Sequence, residues 1–288
     1  MTMTFNGTSG LTFPDASTQA TSAFYGGLAF RNRIINGAMQ IDQRNAGASV
    51  TPVNDGYMLD RWKFNCSQAS KFTVQQNAGS VTPPTGFTNY LGITSSSAYT
   101  VGSSDFFFIT QGIEGFNLGD LAWGTANAKT VTLSFWTYSS LTGTFGGSIV
   151  NNAFNRSYPF TYTVTSANTW QKISVTIPGD TGGTWVGQSN AGAANLLFSL
   201  GTGSTFSGPA GAWASANYVS ATGANSVVST NFATFYITGV QVEVGTVATP
   251  FEHRSYQQEL AMCQRYFERS YDIGTASGTA SASPSAAY

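Results

Sequence analysis

Between Asp60 and Val244 the chain alternates apolar and polar residues in short runs, separated by turns rich in Gly, Ser and Asn. Alternation at period two is the signature of half-buried strands. DRWKFNCSQ places Trp62, Phe64 and Cys66 on one face, and KFTVQQ does the same with Phe72 and Val74. NRIINGAMQIDQR, just upstream, alternates loosely and reads as the start of the strand series. YLGITSS and DFFFITQGI follow. KTVTLSFWTYSS then sets Val131, Leu133 and Phe135 on one side, with Trp136 among the outward positions. SYPFTYTVTS, TWQKISVTIPG and NLLFSLG continue the pattern. In ATFYITGVQVEVG, Phe235 and Ile237 change parity against Val240, Val242 and Val244. A bulge at Gly239 is predicted to restore a common inward face, because glycine tolerates the dihedrals a bulge demands.

Helical periodicity occurs once, after Pro250. Ser255 and Gln258 stand at capping-box spacing, and Tyr256, Leu260, Cys263 and Phe267 form an apolar stripe. A helix of about three to four turns is predicted. With about nine to twelve strands at hairpin spacing and no βαβ rhythm, the fold class is all-β, an antiparallel jelly-roll β-sandwich. Residues 1–32, rich in Thr, Ser and Gly, read as an extended arm; 33–252 form the sandwich; 253–288 hold the helix and a low-complexity segment.

Composition narrows the function classes. Hydrophobic residues make up 41% of the 288 and aromatics 14%, enough for a core. Charged residues make up 9%, against roughly 25% in ordinary globular chains. With 12 basic and 13 acidic residues and no basic cluster, nucleic-acid binding is not expected. No apolar run reaches the ~18–20 residues of a membrane span. MTMTFNGTSG lacks the features of a secretory signal. Cys66 and Cys263, in a strand and a helix, are expected as buried free thiols.

Candidate chemistry is sparse. The single histidine, His253, sits beside Glu252 and Arg254 at a strand–helix junction and reads as solvated. Asp55, Asp60, Asp105, Glu114, Asp120 and Asp180 fall at loops or strand ends, where a glycosidase pair is conceivable, but no local pattern selects two of them. Asp120 and Asp180 could equally hold a structural calcium ion or bond their own turns, so no metal or other cofactor is assigned. Asp60 and Arg61 are expected to pair at a strand start while Trp62 enters the core. Trp123, Trp185, Trp213 and Tyr218 fall in Gly-, Ala- and Asn-rich loops. There they would form either a sugar-stacking platform or, the preferred reading, a subunit interface. Trp62 and Trp170 are expected to be packing residues.

Two sets of words carry a resemblance. SGLTFPDASTQATSA, residues 9–23, is similar to a short word common in phage tail fibres, with Ala16 where that word usually has Gly. NRIINGAMQIDQR, GYMLDRWKF and GVQVEVGTVATPFEHRSYQQELAMCQRYFE together resemble a family of phage tail-fibre and related virion proteins built on a carbohydrate-binding-module-like sandwich. The resemblance implies a non-enzymatic virion appendage, usually a homotrimer, that meets host-surface polysaccharide and other virion proteins. Under it, residues 1–32 would anchor the chain to the particle through Leu11, Phe13, Phe24 and Tyr25. The competing classes are a head-decorating or adaptor protein and a glycan-active enzyme or lectin.

Overall fold

The structure, a computed structural model, describes residues 31–269 and the backbone of residues 4–6, 10–12 and 18–19. The chain divides into two units, Met1–Arg31 and Asn32–Tyr288. In the first, β1 (Thr4–Asn6), β2 (Gly10–Thr12) and β3 (Thr18–Gln19) pair antiparallel in that order. Leu11 lies in β2. Phe13, Phe24 and Tyr25 lie outside the described residues.

The second unit is a jelly-roll sandwich. Its strands are β4 (Gly56–Leu59), β5 (Trp62–Cys66), β6 (Phe72–Gln76), β7 (Leu91–Ser95) and β8 (Phe106–Glu114). There follow β9 (Val131–Ser139), β10 (Gly143–Asn151), β11 (Ser157–Val164), β12 (Gln171–Ile177) and β13 (Gly192–Thr202). Two short strands, β14 (Ser207–Gly208) and β15 (Ser220–Ala221), pair parallel, and β16 (Thr234–Val244) completes the set. One antiparallel sheet has the order β11-β10-β13-β8-β5-β4 and the other β12-β9-β16-β7-β6. The chain therefore shuttles between sheets, closing a common core without long parallel crossovers.

Alternation decides which faces meet. Val131, Leu133 and Phe135 of β9 and Phe235 and Ile237 of β16 point inward against Phe107 and Ile109 of β8 and Phe198 of β13, all fully buried. Phe135 bridges the sheets edge-on, with its centroid 4.9 Å from Phe198 and 5.0 Å from Tyr162. The Gly239 bulge is present: β16 shifts register against β9 between Thr238 and Gln241, and Gly239 has φ 62°. Val240 and Val242 then face the same core. Gly147 of β10 serves another purpose, since a Cβ there would lie 2.5 Å from the Phe160 ring.

Residues 32–44 depart from the expected strand. They form a buried turn-rich loop in which Asn36 and Met39 adopt left-handed φ of 56° and 57°. Side-chain amides replace the ladder. Gln111 pairs with both backbone groups of Ile35, at 2.9 and 2.8 Å. Asn36 does the same for Ile41, at 3.0 and 2.8 Å. Asn32 accepts from Ile34 N and Val242 N and donates to Val240 O. Buried backbone groups need partners, and here asparagine and glutamine supply them.

The expected Asp60–Arg61 pair does not form. Asp60 is buried and accepts from Gln43 N and Gln43 Nε2, both at 2.7 Å. Arg61 instead donates to Gly112 O and lies 3.4 Å from the Tyr266 ring centroid. Arg61 sits at φ 72°, outside the extended region, and its side chain reaches Tyr266 and not Asp60. Trp62 enters the core as expected, fully buried, with Nε1 donating to Asn36 O at 3.0 Å.

The helix, α1 (Tyr256–Gln264), is shorter than predicted. Ser255 caps it, accepting from Gln258 N at 3.3 Å. Cys263 is buried with Ile35 and Ile41, and Leu260 packs beside them. Tyr256, however, is exposed, and Phe267 lies beyond the helix end beneath the Arg44 guanidinium. Glu259 on α1 accepts from Asn36 N and pairs with Arg254, which in turn donates to Asn32 O and Ile34 O. The loop leading into the sandwich is thus tied to the segment leading out of it.

Candidate functional site

The four loop aromatics do not form a platform. Trp123, Trp185 and Trp213 pack edge-to-face on one another, with centroids 4.8, 5.4 and 5.5 Å apart. Each indole N–H is already used: Trp123 donates to Lys129 O at 2.8 Å, Trp185 to Asp180 Oδ2 at 2.9 Å and Trp213 to Pro178 O at 2.8 Å. Trp123 is buried, and the other two are half-buried against the main core. A sugar stacks on a free ring face, whereas these faces meet other rings. Tyr218, apart from them, lies over the backbone of Gly208 in β14, where a Cβ would fall 2.2 Å from its ring. Trp170 is half-buried against Tyr90 and Tyr138, as a packing residue should be.

A different cleft has the makings of a binding site, and alternation explains its origin. With Phe107 inward, Phe106 and Phe108 of β8 must emerge on the outer face of the six-stranded sheet. They pack together at 5.7 Å, and Phe206, in the turn Ser204–Phe206, meets Phe106 at 5.5 Å and 85°. Val219, just before β15, is tied to the same turn by its N–H to Phe206 O at 2.8 Å. Phe154 approaches from the β10–β11 turn. Together these residues line a cleft of about 190 Å³ whose remaining lining is Asn54, Asn65 and Asn217.

Two details mark this cleft as more than surface relief. Phe154 is 38% exposed at φ 53°, a left-handed conformation that bulky residues rarely adopt. Asn151 enforces it: its Oδ1 accepts from Asn155 N and Arg156 N, and its Nδ2 donates to Asn155 Oδ1 and Thr184 O. Strain held by surrounding bonds clusters at functional sites. The second detail is Asn217 Oδ1, which is buried without a hydrogen-bond partner. Asn54, by contrast, is engaged, accepting from Cys66 N at 3.0 Å and Asn65 Nδ2 at 3.4 Å. No charged side chain lines the cleft. The sequence signal for it was the run FFF, which cannot hide three rings on one face; the partners Phe154, Phe206 and Asn217 carry no local signal.

The acidic candidates are all occupied. Asp55 pairs with Lys63, Glu114 with Arg265 and Asp120 with Arg33. Asp105 accepts from Ser67 Oγ, Tyr99 OH and Gly102 N. Asp180, fully buried, takes both Arg156 and Trp185. Burial opposes its ionisation, but the bonds from Arg156, Trp185 and Gly182 N outweigh this and hold the carboxyl below the ordinary range. Asp60 goes the other way, lifted by burial despite its two Gln43 bonds. With arginine on Asp120 and Asp180, neither presents a free oxygen pair to a cation. Among the described residues no group of three or more His, Cys, Asp or Glu gathers as a metal site. His253 is exposed and packs on Phe87 and Phe251, 5.4 and 4.9 Å away. Cys66 and Cys263 are buried free thiols.

No family model matches the chain, and no curated protein matches it. Several solved structures align with part of the chain. The enzymatically active domain of tailspike protein 4 from bacteriophage CBA120 is 15% identical, with 75% of this chain aligned and a TM-score of 0.40. The chain spans 22% of the length of that domain. A family 61 carbohydrate-binding module solved with β-1,4-galactotriose is 10% identical, covering 75% of this chain and 99% of its own, at a TM-score of 0.37. A family 11 carbohydrate-binding module from Clostridium thermocellum, solved with a mixed-linked tetrasaccharide, is 11% identical, covering 69% of this chain and 97% of its own, at 0.34. None of these likenesses assigns a ligand or an activity to the chain.

Proposed function

We propose that this chain is a non-enzymatic structural protein of a bacteriophage particle, a tail fibre or fibre-like appendage, and that its sandwich contacts host-surface glycans. The observation that carries the recognition half is the neutral cleft of phenylalanine and asparagine at Phe106, Phe206 and Asn217. Aromatic surface with a few convergent amides is what a neutral saccharide requires, since apolar ring faces take its C–H groups and amides take its hydroxyls. The partners held by Asp55, Asp60, Asp105, Glu114, Asp120 and Asp180 support a binding role for the cleft over a hydrolytic one at those positions.

The virion half is supported by the resembling words. Asn32–Arg44, Gly56–Phe64 and the segment from Gly239 onward are far apart in sequence, yet Asn36, Trp62, Val240 and Glu259 meet in one buried polar joint. Under this reading residues 1–32 anchor the chain, the protein assembles as a homotrimer, and it resides in the virion without cofactor, nucleic acid or membrane.

A glycan array probed with the whole chain tests the recognition half. Binding that disappears in Phe154→Ala and Phe206→Ala, with the thermal transition retained, supports it, and silence on every glycan refutes it. The mass of the purified protein in solution tests the trimer, and antibody labelling of particles imaged at low resolution tests placement on the tail against placement on the head.

A further inference from the structure

The cleft's chemistry points beyond sugars in general, and the following step rests on the glycan reading above. We propose that it takes an N-acetylated hexosamine, with the acetamido methyl seated against the corner that Phe106 and Phe206 form. Its volume of about 190 Å³ lies below the roughly 300–1,000 Å³ of sites for drug-sized ligands, which matches a single sugar unit inside the cleft. The absence of any charged side chain from the lining disfavours uronic and sialic acids, whose carboxylates would be desolvated without a partner.

Within the neutral sugars, the wall composition selects. Hydroxyl-rich pyranoses present one flat C–H face and otherwise polar edges, and suit a broad exposed ring. Here Phe106 and Phe206 meet at 85°, with Phe108 and Val219 behind them, making an apolar corner and not a flat shelf. A methyl group fills such a corner. Asn217, which lines the cleft, has its Oδ1 buried without a donor, and leaving that acceptor unmatched costs free energy. An acetamido group brings a methyl, an N–H donor and a carbonyl acceptor on one rigid plane. Its N–H would complete Asn217, and side-chain amides such as Asn65 can donate to its carbonyl. A 6-deoxy sugar offers the methyl without the flanking carbonyl, and a free amine offers a charge without the methyl.

The test compares matched sugars, so that it does not depend on any variant folding. The whole chain is titrated with an N-acetylhexosamine trisaccharide, its de-N-acetylated counterpart, the parent hexose trisaccharide and a 6-deoxyhexose oligosaccharide. The N-acetylated ligand is expected to bind at least about tenfold more tightly than the other three, and Asn217→Ala to lose about tenfold for it alone, the scale of one buried hydrogen bond. Equal affinity across the acetylated and de-acetylated pair, or preference for the 6-deoxy sugar, overturns this inference while leaving the glycan reading intact. Failure of the folded protein to bind any member of a broad glycan array overturns both.

Discussion

Arg156 holds Asp180 with two parallel bonds, Nε to Oδ2 at 2.9 Å and Nη2 to Oδ1 at 2.5 Å. Asp180 Oδ2 also receives the Trp185 indole, so one carboxylate fixes both the hairpin turn carrying Arg156 and the tryptophan cluster. Removing it strands a half-buried guanidinium and an indole N–H. Asp180→Ala is expected to cost about 3 kcal/mol of unfolding free energy, measured by denaturant titration, in the range for a broken buried pair. A loss below about 0.5 kcal/mol would show that the pair behaves as a surface contact.

The same carboxylate sets an acid response. Its folded-state pKa lies below the unfolded value, so its stabilisation is complete above the unfolded value and lost as pH falls through the folded one. Asp105 and Asp120 share that sign. Asp60, raised by burial, opposes them, since proton uptake by its folded form adds stability as pH falls toward the unfolded value. Below about pH 4 the thermal midpoint should therefore drop, less steeply in Asp180→Asn, while Asp60→Asn should abolish the gain that wild type shows as pH falls toward about 4. Parallel curves for wild type and Asp180→Asn would remove Asp180 from the explanation.

Tyr162 is a fault in the core. Its ring packs on Phe135 and Phe145, but its buried hydroxyl has no partner, and burial holds the phenol well above the ordinary tyrosine range. Tyr162→Phe keeps the ring and deletes the orphan oxygen. It is expected to stabilise the protein by about 1 kcal/mol, visible as a higher unfolding midpoint; a lower midpoint would mean that the hydroxyl is bonded in solution.

Trp185→Ala separates the two uses of the aromatic residues. Because the ring packs inside the cluster, its removal should cost about 3 kcal/mol of stability and leave glycan titrations unchanged. Lost affinity at full stability would restore the sugar platform, the alternative that the sequence leaves beside a subunit interface.

Cys66 and Cys263 should ignore thiol reagents in the native state. Both are buried and free, and burial raises both thiols, which suppresses the reactive thiolate. A colourimetric thiol assay should report neither before denaturation and both after it; prompt labelling of Cys263 would show that α1 opens readily from Ile35 and Ile41.

The sandwich was legible because period-two alternation is a local property: Trp62, Phe64 and Cys66, or Val131, Leu133 and Phe135, announce their shared face within a few residues. Even the Gly239 bulge could be read from a parity change. Residues 32–44 misled because their buried apolar residues alternate loosely while Asn32, Asn36 and Gln111 replace the sheet ladder, and Gln111 lies 76 positions from the Ile35 it serves. The tryptophans were legible only as loop residues. Loop position suggested exposure, but Asp180, Lys129 and Pro178 draw the indoles inward, and nothing local encodes that convergence. The cleft was half legible: FFF forces rings outward, yet Phe154 and Asn217 join it only through the fold.

The joint between Asn36 and Glu259 spans 223 positions. A ribosome makes the first of these residues long before the second, so during synthesis the amide of Asn36 must wait for its acceptor while nearly the whole sandwich is translated. The strands can collapse earlier, but the buried polar knot at their base closes only when the helix emerges. Closure of this joint is thus reserved for the arrival of Arg254 and Glu259, and a nascent chain stalled before Arg254 should remain open there and vulnerable to protease.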